Sequence, residues 1–305
     1  MFSLQEYFRN PKTQAEIGLR KLSDGEIKKV QKTLLIIYQD VMYVCEKHHL
    51  QIMLAGGSAL GAVRHSGFIP WDDDMDMIMP RWDFDRFVNL FIKEFGDKYH
   101  ILSPVSKEGN IDFFISIIDK NSIFINMFDI LKKHHCGIRF EITPIDYVVN
   151  SRVLRSIKGF ASDLFLFIVR SRMICKFRNK YSDRLFMMSF KSMIVYCSRL
   201  LIGFCSCLFP YEKLMLAYDS FVKSKKETNM MTIACGRNHY FGEMHEKNVF
   251  FPVREICFEN IKSYIPNNCD AYLRRLYGDD YMQIPPVEKR EPHPCVKLEF
   301  RDTIS

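Results

Sequence analysis

Leu54-Ala-Gly-Gly-Ser-Ala-Leu-Gly-Ala-Val-Arg-His-Ser-Gly-Phe-Ile-Pro-Trp-Asp-Asp-Asp-Met-Asp-Met77 is the stretch on which the fold turns. Four aspartates fall within five positions, at 72, 73, 74 and 76. Like charges packed this closely repel one another unless a cation sits among them. The segment Asp74–Met79 lies between Pro70 and Pro80 and reads as a strand. On a strand, Asp74 and Asp76 share one face while Met75 and Met77 take the other. Two carboxylates on one face, anchored by methionines on the opposite face, suit Mg²⁺ or Mn²⁺. Those ions prefer carboxylate oxygen and leave room for substrate phosphates. Upstream, Gln51–Ala55 is a short apolar run closed by Gly56-Gly57. Gly56-Gly57-Ser58 thus follows an apparent strand and opens an apparent helix, a turn that offers backbone N–H groups to a phosphate.

Other readings of the acidic cluster fit less well. An EF-hand loop starting at Asp72 would need glycine where Met77 stands and would end on Asp83. A helical Asp-Asp-x-x-Asp motif fits Asp72, Asp73 and Asp76, but the bracketing prolines exclude a long helix. A merely solvated acidic turn does not account for the glycine turn and the alternating apolar strand beside it.

Outward from this centre the pattern is mixed. Residues 26–48 place Leu34, Ile37, Tyr38, Val41, Val44 and Cys45 on one helical stripe. Trp82–Phe95 carries Phe84, Phe87, Val88, Phe91 and Phe95 at helical spacing. Ile111–Ile118, Ile123–Phe128 and Ile138–Ile142 are rich in β-branched and aromatic residues and read as strands. All twelve prolines lie outside the 65 residues from Ile145 to Phe209, so this block can hold two or three long helices. Residues 151–200 carry eleven Lys and Arg against two Asp, a local charge of +9. The whole chain has +7, so the other 255 residues sum to −2. Apolar runs interleave this basic block: Leu164 to Val169, and Met193 to Phe209. That mixture describes either an interfacial helix on an anionic membrane or a helix packed on its own domain. No nucleic-acid motif accompanies the charge, so no nucleic-acid partner is expected. No stretch of about 20 residues is free of charge, so no conventional membrane span is expected. No signal peptide is evident at the N-terminus. The 48% hydrophobic and 26% charged content supports a sizeable core and excludes a disordered or disulfide-stapled chain. The ten cysteines contain no C-x-x-C pair and read as reduced core residues.

Gly57-Ser58 followed by Asp74-x-Asp76 resembles the signature of the nucleotidyltransferase fold. The longer string GGSALGAVRHSGFIPWDDDMD resembles the LicD family, which includes the fukutin-related proteins. Phe140-Glu-Ile-Thr-Pro-Ile-Asp146 resembles that family's Asp-Ile-Phe-Pro-Leu-Asp segment. Tyr277-Gly-Asp-Asp-Tyr-Met-Gln-Ile-Pro-Pro-Val-Glu-Lys-Arg290, followed by His293, agrees with it too. The pattern along the chain reads as α+β over 1–150, basic and helical over 151–228, and mixed over 229–305. The resemblance implies a nucleotidyltransferase-like mixed sheet with flanking helices, so that 1–150 is the expected catalytic core, 151–228 a helical, basic insertion that is not diagnostic of the family, and 229–305 a C-terminal segment completing the site.

The same resemblance implies transfer of a phospho-alcohol from a CDP-activated donor to a sugar hydroxyl, with release of CMP. Phosphocholine from CDP-choline, delivered to teichoic acid, lipopolysaccharide or a capsule, is the typical bacterial case; ribitol phosphate is the case in the fukutin-related branch. It implies a third metal carboxylate on a neighbouring strand, at Glu141 where the family usually has Asp, with Asp146 as the other position. Asp74, Asp76 and Glu141 are thus the expected catalytic and metal-holding residues for Mg²⁺ or Mn²⁺. Gly57, Ser58 and Arg64 are expected to meet donor phosphates. His65, Trp71, Tyr281, Lys289 and Arg290 are further candidates for substrate contact, and Trp71 could face cytosine or a quaternary ammonium. The expected partners are the CDP-alcohol, a glycan or lipid-linked glycan acceptor, and an anionic membrane surface at the cytoplasmic face. Two rivals remain: a nucleotidyltransferase acting on a small molecule or sugar phosphate, which would share Asp74 and Asp76, and a non-catalytic glycan-binding relative, whose mark would be loss of the carboxylates that Asp74, Asp76 and Glu141 retain.

Overall fold

The computed structural model describes residues 18–104, 112–126, 136–179, 183, 186–187, 189–224, 226–290 and 295–301. Helix α1 (Asp24–Lys47) begins with a capping box in which Ser23 and Glu26 satisfy each other's amides. It buries Leu34, Ile37, Tyr38, Val41, Val44 and Cys45, the stripe that their spacing predicts. The chain then forms β1 (Met53–Leu54), α2 (Gly56–His65), β2 (Asp76–Pro80) and α3 (Arg81–Phe95). Strand β2 starts at Asp76, two residues later than expected, because ladder pairing begins only where β6 comes alongside. The in–out alternation nevertheless extends upstream: Met75 and Met77 are buried, while Asp74 is exposed and Asp76 half-exposed.

Strands β3 (Tyr99–Leu102), β4 (Ile115–Asp119), β5 (Ser122–Asn126) and β6 (Arg139–Tyr147) follow. Ile111, Met127 and Phe128, parts of the expected strands, lie outside the described residues, as does His293. Strand β6 is longer than its apolar core at 138–142. Its first half pairs with β4, and its last residues, Asp146 and Tyr147, pair with Thr232 and Met231 of β7 (Met230–Thr232). The sheet runs β1-β2-β6-β4-β3, with β7 joined to β6 and β8 (Met244–Glu246) to β7. Among the described residues only β2 and β6 are parallel neighbours; the other pairs of this sheet are antiparallel. The fold is thus α+β with a mixed sheet, as expected.

Between β6 and β7 the described residues include the α-helices α4 (Arg152–Lys176), α5 (Phe190–Cys205) and α6 (Tyr211–Val222), within the proline-free block and its margin. Gly159 of α4 is required by packing: a Cβ there would meet Phe241 Cζ at 2.4 Å and Tyr240 Cδ1 at 2.7 Å. The most apolar helix of this block carries Lys191 and Arg199. Phe190–Leu208 is long and apolar enough to cross a membrane by length and composition, and only 17% of it is buried. After β8 come the hairpin β9 (Arg254–Phe258) and β10 (Ile261–Ile265), then α7 (Cys269–Tyr277). Strand β11 (Cys295–Phe300) closes on β5. The ten cysteines are free thiols, but Cys136, Cys197, Cys205, Cys207 and Cys257 are exposed rather than in the core.

Candidate active site

The site is built on a parallel pair in the sheet, β2 and β6. Asp76 of β2 and Glu141 of β6 are direct partners in the ladder. Neighbouring strands lie about 4.8 Å apart, so paired residues project side by side. Both stand on the half-exposed face, while their successors Met77 and Ile142 enter the core. The Glu141 amide also donates to Met75 O at 3.3 Å, which ties the lead-in carrying Asp74 to β6.

The glycine turn is locked to the same strand. Ser58 Oγ accepts the Asp76 amide at 2.9 Å, and the Ala55 amide donates to Asp76 O at 3.0 Å. The Ser58 hydroxyl therefore holds the backbone that carries Asp76. Gly56 sits at φ +47, a conformation that favours glycine, and a Cβ there would lie 3.5 Å from Asp76 Oδ2 and 3.6 Å from the Tyr277 hydroxyl. The Gly56 amide donates to the Tyr272 hydroxyl at 3.2 Å, so it is not aimed at a ligand. Gly57 and Ser58, next in α2, have no acceptor for their amides within their own helix. A Cβ on Gly57 would stand 2.9 Å from Asp72 Oδ2, which places that carboxylate at the mouth of the helix.

The four aspartates separate into two sets. Asp76, Asp72 and Asp74 all act on the Tyr277 hydroxyl. Burial of that hydroxyl first, and then these carboxylates, push its pKa up, so it stays protonated at neutral pH. Asp73 is buried and acts on Cys295 instead. Arg237 is exposed and within electrostatic reach of Tyr277. Tyr272, Asp72 and Arg237 were not among the expected site residues, and Tyr277 was noted only within the C-terminal patch. Asp72 was visible in the aspartate run; Tyr272 and Arg237 carry no local signal, because only packing brings α7 and the loop before β8 to the turn.

Other candidates take different places. The Arg64 guanidinium donates to Tyr281 O at 2.9 Å, Gln283 O at 3.1 Å and His65 Nε2 at 3.0 Å. Those donors anchor the C-terminal segment, so the expected phosphate fork is not what Arg64 forms. His65 packs edge-on to Trp71 with centroids 6.2 Å apart, and burial, then Arg64, lower its pKa. The Arg290 guanidinium lies 3.8 Å over the Trp71 ring, so the cation seat on that tryptophan is filled from within the chain. Tyr281 is buried, with its hydroxyl donating to Asp270 at 2.8 Å, and it fastens the segment to α7. Lys289 is exposed in a single turn, Val287–Lys289. Trp82 stacks on Tyr147 at 5.4 Å. Asp146, the other position considered for a metal, is engaged by Arg81 through bonds of 2.8 and 2.7 Å and is 2% exposed.

Among the described residues no three His, Cys, Asp or Glu side chains form a ready-made metal cage. Mg²⁺ is ordinarily held by one or two carboxylates together with waters and substrate phosphates. An Asp–Glu pair on adjacent strands, beside a phosphate-sized turn, fits that mode of binding.

His245 links the site to pH. Its ring packs on Phe250 and Tyr272, with centroids 5.4 and 5.7 Å apart, and burial, then Arg275, push its pKa down to about 4. The unfolded chain takes up this proton near pH 6.5 and the folded chain does not. Stability is therefore full above that value and lost as pH falls toward 4. From pH 7 to pH 5 the expected loss is about 2 kcal/mol. Urea melts at the two pH values measure it, and a His245→Gln variant should flatten the difference.

The chain is similar to one family model and to three known proteins. Residues 49–146 match the family model described as LicD/FKTN/FKRP, nucleotidyltransferase domain. The lipopolysaccharide cholinephosphotransferase LicD of Haemophilus influenzae is 27% identical over 277 residues, covering 82% of this chain and 89% of that protein. Uncharacterized proteins of Rickettsia prowazekii and Rickettsia typhi are 40% and 30% identical over 118 residues, which is 44% and 38% of their lengths.

Proposed function

We propose, from the LicD-family match of residues 49–146, that the chain transfers phosphocholine from CDP-choline to a sugar hydroxyl of a surface glycan such as lipopolysaccharide. The observation that carries this reading is the pairing of Asp76 with Glu141 beside the clamped glycine turn. Asp74, Asp76 and Glu141 would hold Mg²⁺ or Mn²⁺, which supplies neutralisation of the charge on the donor's diphosphate. The amides of Gly57 and Ser58, at the start of α2, meet the same phosphates. Arg237, within electrostatic reach of Tyr277, supplies a cation to them. Glu141 accepts the proton of the acceptor hydroxyl as its oxygen attacks the choline-bearing phosphorus. The bond from that phosphorus to the bridging oxygen breaks, and CMP departs with the electron pair. The Tyr277 hydroxyl, held protonated, keeps a hydrogen-bond donor beside the acids through this step.

The test is a donor panel of CDP-choline, CDP-ribitol and CDP-glycerol with purified lipopolysaccharide. The expected result is CMP release and choline incorporation with CDP-choline, abolished by EDTA and restored by Mg²⁺. Free diphosphate released from CTP, with no CMP from any donor, would replace this reading with nucleotide transfer.

A further inference from the structure

The basic helical segment presents a surface that the proposed reaction does not use. Helix α4 buries one stripe, Gly159, Ser162, Leu166 and Val169. Its opposite stripe, with Val153, Ile157 and Phe160, is 61–70% exposed. Helix α5 lies beside it: Arg199 sits 4.6 Å over the Phe167 ring, and a Cβ on Gly203 would meet Ser171 O at 2.4 Å. Helix α5 also turns an apolar stripe outward, with Ile194, Leu201 and Phe204 at 53–68% exposure. Soluble monomers rarely leave apolar patches of more than a few hundred Å² uncovered. The charge around this one has a single sign. Residues 190–209 contain Lys191 and Arg199 and no acid. Arg152 and Lys191 are exposed, and neither takes part in an ion pair among the described residues. The nearby acids are engaged: Asp183 with Arg178, Glu212 with Lys176, and Asp163 with the Tyr240 amide.

We infer that the outer face of α4 and α5 is a docking surface for an anionic lipid bilayer, lying in the headgroup region with its phenylalanines and leucines toward the acyl chains. Charge complementarity selects this occupant: a second copy of the same face would oppose like charges, whereas anionic headgroups match the basic rim. Helix α5 lies along the surface rather than through the membrane. Ser192, Tyr196 and Gly203 are buried on its inner side, and the Tyr196 hydroxyl donates to Asp183 at 2.5 Å, contacts that a spanning helix would surrender.

The experiment is flotation of the full chain with vesicles of equal parts phosphatidylglycerol and phosphatidylcholine, against phosphatidylcholine alone. It contains neither donor nor acceptor, so its outcome is separate from that of the transfer assay. The expected result is binding at least about tenfold tighter to the anionic vesicles, weakened by salt. The triple variant Phe160→Ser/Leu201→Ser/Phe204→Ser should lose it with circular dichroism unchanged. Arg152→Glu/Lys191→Glu should lose the preference for anionic lipid independently. Equal binding to both vesicles, binding untouched by either variant, or a lipid-free dimer that no longer binds vesicles would overturn the inference. Extraction from cell membranes only by detergent would overturn it as well, because α5 would then span.

Discussion

An Asp76→Asn variant should transfer phosphocholine about a thousandfold more slowly than the wild type, a loss of about 4 kcal/mol of transition-state stabilisation. The substitution removes one negative charge and almost no volume. The bonds that hold the turn to β2 run through the Asp76 backbone, its amide to Ser58 Oγ and its carbonyl from Ala55, so they survive the change. Melting temperature should therefore stay near that of the wild type while kcat collapses. The neighbouring Asp73→Asn is the control. Asp73 is buried and within electrostatic reach of Cys295, so its loss should alter stability and leave the rate within about threefold. A single-turnover assay with radiolabelled donor reads both variants. Wild-type rates in Asp76→Asn would remove the β2–β6 pair from the chemistry.

Arg81→Met should destabilise the fold by about 3–5 kcal/mol, with a fall in melting temperature on the order of ten degrees. Arg81 is 4% exposed at the start of α3. Its guanidinium forms a two-bond fork to Asp146 and a third bond of 2.8 Å to Asp219 on α6. This one side chain joins the first turn after β2, the far end of β6 and the helical segment. Replacing it leaves two carboxylates without their cation in a dry setting. Burial already raises the Asp219 pKa despite the guanidinium beside it. Calorimetry measures the drop. The triple change Arg81→Met/Asp146→Asn/Asp219→Asn should recover much of it, because no uncompensated charge remains. If Arg81→Met alone melts like wild type, the triad carries no stability.

The two predictions separate what could be read from the chain and what could not. The turn and strand around Asp76 were legible because their signals are local. Glycines at 56 and 57, an alternating Asp–Met run and flanking prolines each constrain backbone within a few residues. The α1 and α3 stripes were legible because helical period exposes them. The length of β6 was not, since Asp146 and Tyr147 become strand only by pairing with β7, about 85 residues later. The surroundings of Arg64 were hidden for a related reason: its guanidinium meets carbonyls of residues 281 and 283, which only the folded chain brings to it. Asp146 resembled a metal ligand by position, yet a buried partner from another element claimed it.

By itself, the sequence determined the α+β class, the acid-and-glycine centre and the family resemblance, because those depend on residue type at short spacing. Only the tertiary structure decided which acids face the turn, that Tyr272 and Tyr277 of α7 close over it, and that the outer sides of α4 and α5 stay uncovered. Hydrogen bonds and burial between distant segments depend on how the chain packs, and no local pattern encodes that arrangement.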